Sequence, residues 1–173
     1  MESLVKKGLT KSIGVSNYNA QLILDILSYC EIKPAVNMIE FHPYFDQTPL
    51  LQFCRDKGIH VIAYSSICRS SYVTNNTTHT VDLLDEKVIT EMAKKHGKSP
   101  GQIALNYALA QGVGVIPGTS KVTRMVDNMG SLDFRLSADD LKEISSLNKS
   151  IRFVTVELID MFLPGMKHDN IFA

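Results

Sequence analysis

The chain has 173 residues, 45% of them apolar, and its 18 basic and 18 acidic residues cancel to a formal net charge of zero. This length and apolar fraction suffice for one domain with a buried core. The balanced charge offers no basic excess to nucleic acid, the apolar stretches are too short to span a bilayer, and the start at Met1 lacks the apolar segment of a secretion signal. We therefore expect a cytoplasmic protein with no nucleic acid and no membrane among its partners.

Short β-rich runs alternate with helical patterns along the chain. Strands are predicted, in chain order, at residues 12–16, 35–41, 59–64 and 113–117. Apolar residues at helical spacing predict helices near residues 21–27, 48–57, 85–96, 99–111, 121–129 and 137–147, and Ser99 and Ser137 are predicted N-caps. The polar segment from Ser65 to Thr80 predicts a loop. Strands alternating with helices indicate right-handed crossovers and a parallel sheet, so the predicted class is α/β.

Two architectures fit this order of elements. One is a small doubly wound sheet, and the other is half of an eight-stranded β/α barrel, which typically needs roughly 250 residues. The doubly wound alternative lacks the Gly-x-Gly-x-x-Gly turn that usually follows its first strand. The pattern of elements alone leaves both architectures open.

In parallel β/α folds, functional groups collect where strands end. The first predicted strand ends in Ser16-Asn17, the third in Tyr64-Ser65, and the fourth in a loop with Thr119 that leads into a helix carrying Arg124. Hydroxyl and amide groups suit a carboxamide or a phosphate, and an arginine can add a charge-assisted fork. Such residues are also ordinary turn, cap and surface residues, so a binding role and a structural role both remain open.

The second predicted strand carries Glu40 and leads into His42, and each of these residues has two possible roles. Glu40 is predicted to be either a buried acid with a shifted pKa or a hydrogen-bonded strut. His42, beside Pro43, is predicted to be either a structural turn residue or a proton-transfer group. The three cysteines, Cys30, Cys54 and Cys68, have no metal-type spacing, and the histidines are scattered, so we expect reduced thiols and no metal site.

Several motifs taken together resemble one known family. The motifs are, in order, Gly8-Leu9 with Ile13-Gly14-Val15-Ser16-Asn17-Tyr18, then the run from Pro34 to Tyr44, Ala63-Tyr64-Ser65, the run from Ser99 to Leu105, the run from Val115 to Ser120, and Arg124-x-x-x-Asn128. In this order they resemble the aldo-keto reductase family, and the resemblance extends to about Leu147. Each motif alone is moderate evidence for the family, and several motifs in the family's order are stronger evidence.

The resemblance implies a (β/α)8 barrel of the TIM-barrel type, of which only the second half, strands five to eight and their helices, is present. Residues 1–149 would form the cofactor-binding half barrel, and residues 150–173 a C-terminal tail or substrate loop. The family reaction is hydride transfer from NADP(H) to a small aldehyde or ketone, with a tyrosine as general acid. Apolar tail residues could line the substrate pocket: Phe153, Leu158, Met161, Phe162 and Leu163.

The resemblance also implies roles for individual residues. Ser16 and Asn17 would hydrogen-bond the nicotinamide carboxamide, and Tyr64 would stack on the nicotinamide ring. Ser65 and Ile67 would line the path of the pyrophosphate. Thr119 and Arg124 would hold the 2′-phosphate of NADP(H), and Asn128 would meet the adenine.

The sequence departs from the family pattern at several positions. Met38 stands where the family usually has a glutamine that binds the carboxamide, Gly118 where many members have a lysine, and Ser66 where a proline is usual. The family's catalytic aspartate, tyrosine, lysine and histidine lie on strands expected to precede Met1, so no catalytic residue is assigned. We expect a chain that holds part of the cofactor without completing the reaction; the alternative is a non-catalytic nucleotide-binding or protein-interaction relative. An unclosed parallel sheet has open edges, which predicts self-association.

Overall fold

The computed structural model describes residues 1–74 and 77–154, and for residues 69–74 and 77–81 it describes the backbone only. The helices are α1 (Glu2–Lys6), α2 (Ala20–Tyr29), α3 (Thr48–Asp56), α4 (Lys87–His96), α5 (Pro100–Ala110), α6 (Val122–Met129) and α7 (Ala138–Ser145). The strands are β1 (Gly14–Ser16), β2 (Val36–Glu40), β3 (His60–Tyr64), β4 (Arg69–Thr74), β5 (Thr77–Asp82) and β6 (Gly114–Val115). Single 3-10 turns occur at Leu83–Asp85 and Gly130–Leu132. No helix within these described residues is long and apolar enough to cross a bilayer.

The predicted α/β class and the parallel sheet are confirmed. Four strands form one sheet in the order β1-β2-β3-β6. β1 pairs with β2 in parallel, with Gly14 opposite Val36 and Ser16 opposite Met38. Each of these strands lies within the segment where the sequence predicts a strand.

The predicted loop from Ser65 to Thr80 is wrong over most of its length. β4 and β5 pair antiparallel in a separate two-stranded ribbon, with Arg69 opposite Asp82 and Thr74 opposite Thr77. The segment is polar, which favoured a loop, but it contains four threonines, one tyrosine and one valine, and these residue types favour strands. A two-stranded ribbon can satisfy its backbone by cross-strand pairing without burying an apolar face, so polarity alone does not exclude it.

The chain divides into two compact units. Among the described residues, unit 1 comprises residues 1–39 and 47–62 and Val154. Its fully or nearly fully buried apolar side chains come from β2, β3 and the helices beside them: Ile23, Ile39, Leu51, Cys54, Ile59 and Val61. The side chain of Asn19 caps α2 by accepting a hydrogen bond from the backbone N–H of Leu22 at 2.9 Å.

Among the described residues, unit 2 comprises residues 40–46, 63–74 and 77–153, and it contains the helix α5. Every residue of α5 from Gly101 to Ala108 is buried. The predicted N-cap Ser99 is confirmed: its hydroxyl accepts from the N–H of Gln102, and the Gln102 side chain accepts from the N–H of Ser99. A helix buried on all sides needs such a cap, because unpaired amides there would not reach water.

Asp140 joins α4 to α7 within unit 2. The predicted cap Ser137 is confirmed in a capping box with Asp140. The buried Asp140 carboxylate also accepts from Lys95 Nζ at 2.6 Å and lies 3.0 Å from His96 Nε2. Burial by itself raises the pKa of this carboxyl group, but hydrogen bonds from Lys95, Ser137 and His96 outweigh burial and hold the pKa well below its usual range.

Candidate functional site

The end of β1 is a tight turn built on the carbonyl of Met38. The hydroxyl of Ser16 donates to the Met38 carbonyl at 3.0 Å, and the backbone N–H of Asn17 donates to the same oxygen at 2.9 Å. Asn17 has φ of 58°, in the left-handed region where asparagine is one of the few tolerated side chains. Ser16 is exposed and Asn17 half-buried. Met38 therefore shapes the turn through its backbone, although its side chain cannot donate a hydrogen bond to a carboxamide.

Asn37 fixes the residue that follows this turn, and sequence reasoning gave it no role. Its side chain is fully buried; Nδ2 donates to the Tyr18 carbonyl at 2.8 Å and Oδ1 accepts from the Tyr18 N–H at 3.4 Å. Because both bonds go to the backbone, they position the chain whatever side chain residue 18 carries. The available signal was an asparagine inside an otherwise apolar strand segment, where a buried amide needs partners.

The end of β3 is a second strained turn. Ser65 has φ of 54° and Cys68 has φ of 44°, and the N–H of Cys68 donates to the Ser65 carbonyl at 2.9 Å. Ser66 is buried, and its hydroxyl donates to the Ala63 carbonyl at 3.1 Å, so the serine at the family's proline position closes the turn. Ser65 is exposed, while Tyr64 and Ile67 are half-buried.

The loop after β6 leads into α6 without a side-chain cap. Thr119 Oγ1 accepts from the N–H of Lys121 at 3.1 Å, which shapes the loop just before the helix. The N-cap residue Lys121 makes no capping hydrogen bond from its side chain. Uncapped amides at a helix start suit a phosphate. Arg124, one turn in, is exposed, and Asn128, a further turn on, is half-buried.

α6 turns its apolar side to solvent and attaches through its polar side. No residue of α6 is buried. Asp127 holds the helix to α5, since its carboxylate accepts from the Ser99 hydroxyl at 2.6 Å and its carbonyl from Gln102 Nε2 at 2.8 Å. We call the exposed apolar residues at helical spacing the α6 stripe: Val122, Met125, Val126 and Met129, between 47% and 71% exposed, and Leu132 at 62%.

Glu40 and His42 form a buried pair in unit 2. Neither side chain is exposed to solvent, and His42 Nε2 lies 2.9 Å from Glu40 Oε1. Of the two open predictions for each residue, this geometry supports the strut for Glu40 and the structural turn for His42. A proton-transfer role on a substrate would require an accessible nitrogen.

The predicted cofactor residues are distributed over both units. Ser16 and Asn17 lie in unit 1, and Tyr64, Ser65, Ile67, Thr119, Arg124 and Asn128 lie in unit 2. Because β3 and β6 are neighbours in the sheet, the segments that follow these two strands leave from one edge. None of the predicted residues lines the apolar cavity of about 390 Å³ in unit 1 or the cavity of about 450 Å³ in unit 2. Of the tail residues, Phe153 is buried, and Leu158, Met161, Phe162 and Leu163 lie outside the described residues.

The cysteines are free thiols. Cys30 is half-buried, and Cys54 and Cys68 are buried. Burial raises the pKa of the Cys54 thiol, and it raises that of Cys68 further, with the Glu40 charge adding to the effect at Cys68. A thiol with a raised pKa is a poor nucleophile at neutral pH. Within the described part of the chain, no three His, Cys, Asp or Glu side chains come together as a metal site.

Comparison with known proteins identifies relatives over most of the chain. The model of the aldo/keto reductase family matches residues 1–149. An NAD(P)H-dependent D-xylose reductase from Pyricularia oryzae is 44% identical over 156 residues, which cover 88% of this chain and 48% of the relative. An NADH-dependent D-xylose reductase from Candida parapsilosis is 40% identical over the same length, with the same coverage of both chains. The chain thus spans about half the length of the curated relatives it matches.

Solved structures agree with the sequence relatives. An aldose reductase from Giardia lamblia aligns with a TM-score of 0.78 at 39% identity, covering 89% of this chain and 50% of that one. An aldo-keto reductase complexed with NADPH aligns with a TM-score of 0.79 at 31% identity, covering 89% of this chain and 47% of that one. The family match, the sequence identities and the shared fold together show that this chain belongs to the aldo/keto reductase family.

Proposed function

We propose that the chain is the cofactor-binding second half of an NADP(H)-dependent aldo-keto reductase that reduces small aldehydes or ketones to alcohols. In this proposal β1, β2, β3 and β6 are strands five to eight of a (β/α)8 barrel, residues 1–149 form the half barrel, and residues 150–173 form a C-terminal tail. The family match over residues 1–149 carries the proposal. The relatives indicate the cofactor, since they are NAD(P)H- or NADH-dependent D-xylose reductases.

The turn after β1 fits the nicotinamide carboxamide. The Ser16 hydroxyl uses its hydrogen on the Met38 carbonyl, so its oxygen keeps lone pairs that can accept from the carboxamide NH₂. The side-chain amide of Asn17, at its left-handed position, contains both donor and acceptor atoms, and the half-buried Tyr64 carries an aromatic ring of the kind that stacks on a nicotinamide. We assign the carboxamide to Ser16 and Asn17 without a contribution from the Met38 side chain.

The start of α6 fits the phosphate end of the cofactor. The helix start has no side-chain cap, Thr119 carries a hydroxyl beside it, and Arg124 is exposed and able to form a fork to a phosphate. Asn128 would meet the adenine, and Ser65 and Ile67 would line the pyrophosphate path. Gly118 supplies no charge, so Arg124 would carry most of any preference for NADP(H) over NAD(H).

The bound cofactor would supply the hydride, and the residues of this chain would bind and orient it. No residue among the 173 matches the family's proton-donating set. The buried Glu40 and His42 do not substitute for that set, because neither side chain reaches solvent. We therefore propose that these residues bind the cofactor but do not complete the reduction by themselves.

Removing the Arg124 charge tests the phosphate assignment. We expect Arg124→Met to weaken NADPH binding by about 10- to 30-fold, the equivalent of one lost charge-assisted hydrogen bond. NADH lacks the 2′-phosphate, so its affinity should change by less than about threefold. Both constants are measured by titrating the purified chain and following nicotinamide fluorescence.

Arg135→Met is the matched control, since Arg135 is also exposed in unit 2 but lies on a different segment. It should leave both affinities unchanged. An equal loss of NADPH and NADH affinity in Arg124→Met would contradict a 2′-phosphate role, and failure of the parent chain to bind either cofactor would overturn the proposed function.

We further propose that the chain self-associates. The edge strands β1 and β6 have only three and two residues, so open sheet edges offer few unpaired backbone groups. The α6 stripe is the larger apolar surface, and monomeric proteins rarely leave such a surface uncovered. The same stripe favours the protein-interaction alternative, in which another protein covers it instead of a second copy.

Light scattering during size-exclusion chromatography tests self-association. We expect the parent chain to elute above the monomer mass and Val126→Asp to move it towards the monomer, because a charge in an apolar interface must be desolvated. Thr123→Asp introduces the same charge on the same helix outside the α6 stripe and should not change the mass. A stable monomer for the parent chain would contradict the proposal.

A further inference from the structure

The turn of residues 40–46 holds the segment of residues 148–153, both in unit 2. The carbonyl of Tyr44 accepts from the N–H of Lys149 at 3.1 Å and of Ile151 at 3.3 Å. The Glu40 carboxylate accepts from the N–H of Phe153 at 2.7 Å. Lys149 and Ile151 thus share one acceptor, and Ser150 between them has φ of 53° and donates its own N–H to Asn148 Oδ1 at 2.9 Å. The segment therefore turns at Ser150 against the Tyr44 carbonyl.

Side chains add to this docking. Asn148 Nδ2 donates to Asp46 Oδ1 at 2.9 Å. The Lys149 ammonium lies 4.9 Å from the centre of the Tyr44 ring and 3.8 Å from the Glu86 carboxylate, and Glu86 in turn accepts from the Tyr44 hydroxyl at 2.7 Å. The Arg152 guanidinium lies 4.9 Å from the centre of the Phe45 ring.

The contacts of Glu40 differ from these other contacts because the Glu40 side chain is fully buried. Its Oε1 receives both the Phe153 N–H and His42 Nε2, and its Oε2 lies 4.0 Å from Arg152 Nη1. The Phe153 ring packs over the pair, with its centre 5.2 Å from that of His42 and 6.1 Å from that of Tyr44. A carboxylate buried away from water requires such partners. The free-energy cost of leaving it unpaired is far larger than the free energy that one exposed ion pair contributes to stability.

We propose that the turn of residues 40–46 is a docking site for the segment of residues 148–153, and that Glu40 is the positioning residue that keeps this segment docked. When the Glu40 carboxylate is shortened or neutralised, residues 148–153 detach from the turn while the rest of unit 2 stays folded. Glu40 does not touch the cofactor in this assignment. The inference stands apart from the proposed function, because it concerns contacts within the chain.

Hydrogen exchange of the Phe153 amide tests the inference directly. Glu40→Asp keeps the charge but shortens the side chain by one methylene, which separates the carboxylate from the Phe153 N–H. In this variant we expect the Phe153 amide to exchange about 100-fold faster than in the parent chain, since both its hydrogen bond to Glu40 and the packing of the Phe153 ring are lost. Glu40→Gln keeps the length and an acceptor oxygen but not the charge, so we expect only about tenfold acceleration.

The amide of Leu105, in the buried helix α5, reports on unit 2 as a whole and should exchange at the parent rate within about threefold. Glu91→Gln, the same change at an exposed helix position, should leave both amides unaffected. Equal acceleration of Phe153 and Leu105 would show global destabilisation and overturn the inference, as would an unchanged Phe153 rate in Glu40→Asp.

Nicotinamide fluorescence on the same variants separates this inference from the proposed function. If Glu40 acts only on the segment, Glu40→Gln binds NADPH with the parent affinity within about twofold. A parent chain that binds no NADPH would contradict the proposed function. The hydrogen-exchange rates of the Phe153 and Leu105 amides would still decide the role of Glu40. A large loss of NADPH affinity in Glu40→Gln would count against a role confined to the segment.

Discussion

Replacing Asn106 by alanine is expected to lower the free energy of unfolding of unit 2 by about 4 kcal/mol, from three lost hydrogen bonds and the buried backbone groups left unpaired. Asn106 is 4% exposed in α5. Its Nδ2 donates to the carbonyls of Ser131 at 2.8 Å and Phe134 at 2.9 Å, and its Oδ1 accepts from the N–H of Leu136 at 3.2 Å. One side chain thus binds three backbone groups of the connection between α6 and α7. Urea unfolding followed by circular dichroism measures the loss.

Asn19→Ala is the matched control for this substitution. Asn19 caps α2 through a hydrogen bond at an exposed helix end, so its loss should cost only about 1 kcal/mol. The two substitutions delete identical atoms, so the difference between them reports the greater burial of Asn106 together with its larger number of hydrogen bonds. A cost for Asn106→Ala no larger than that for Asn19→Ala would contradict this account of the α6–α7 connection.

Gly14→Ala is expected to destabilise unit 1 by about 3 kcal/mol, the upper part of the range for overpacking. A Cβ at Gly14 would lie 2.4 Å from Val36 Cγ2 and 2.8 Å from the Val36 carbonyl oxygen. The Val36 side chain could rotate away, but the carbonyl belongs to the paired strand β2, so β1 would have to separate from β2. In the proposed function NADPH binding would weaken as well, since Ser16 is the last residue of β1 and Asn17 follows it directly.

Gly118→Ala provides the comparison for Gly14→Ala. No atom lies within 4 Å of a Cβ built at Gly118, and this glycine is not in the left-handed region. The substitution should therefore change stability by less than about 0.5 kcal/mol. Thermal unfolding of both variants checks the pair, and equal melting temperatures would contradict the steric argument.

Much of the secondary structure follows from signals that reach only a few residues along the chain. The caps Ser99 and Ser137 each bond an amide three residues away, and the sequence predicts both. The alternation of strand and helix likewise needs only local periodicity, and it predicts the parallel sheet. The β4–β5 ribbon was missed because its strands are polar on local inspection and are held by cross-strand pairing.

The α/β class, the main helices and parallel strands, and the family could all be predicted from residue order and local spacing. The roles of Glu40, Asn37, Asn106 and Asp140 became visible in the folded chain and not before. Glu40 bonds an amide 113 residues away, Asn106 binds carbonyls 25 and 28 residues on, and Asp140 meets Lys95 across 45 residues. A polar residue in an apolar run indicates that its side chain needs a hydrogen-bond partner. The identity of that partner depends on how distant segments of the chain pack together, which local sequence patterns do not contain.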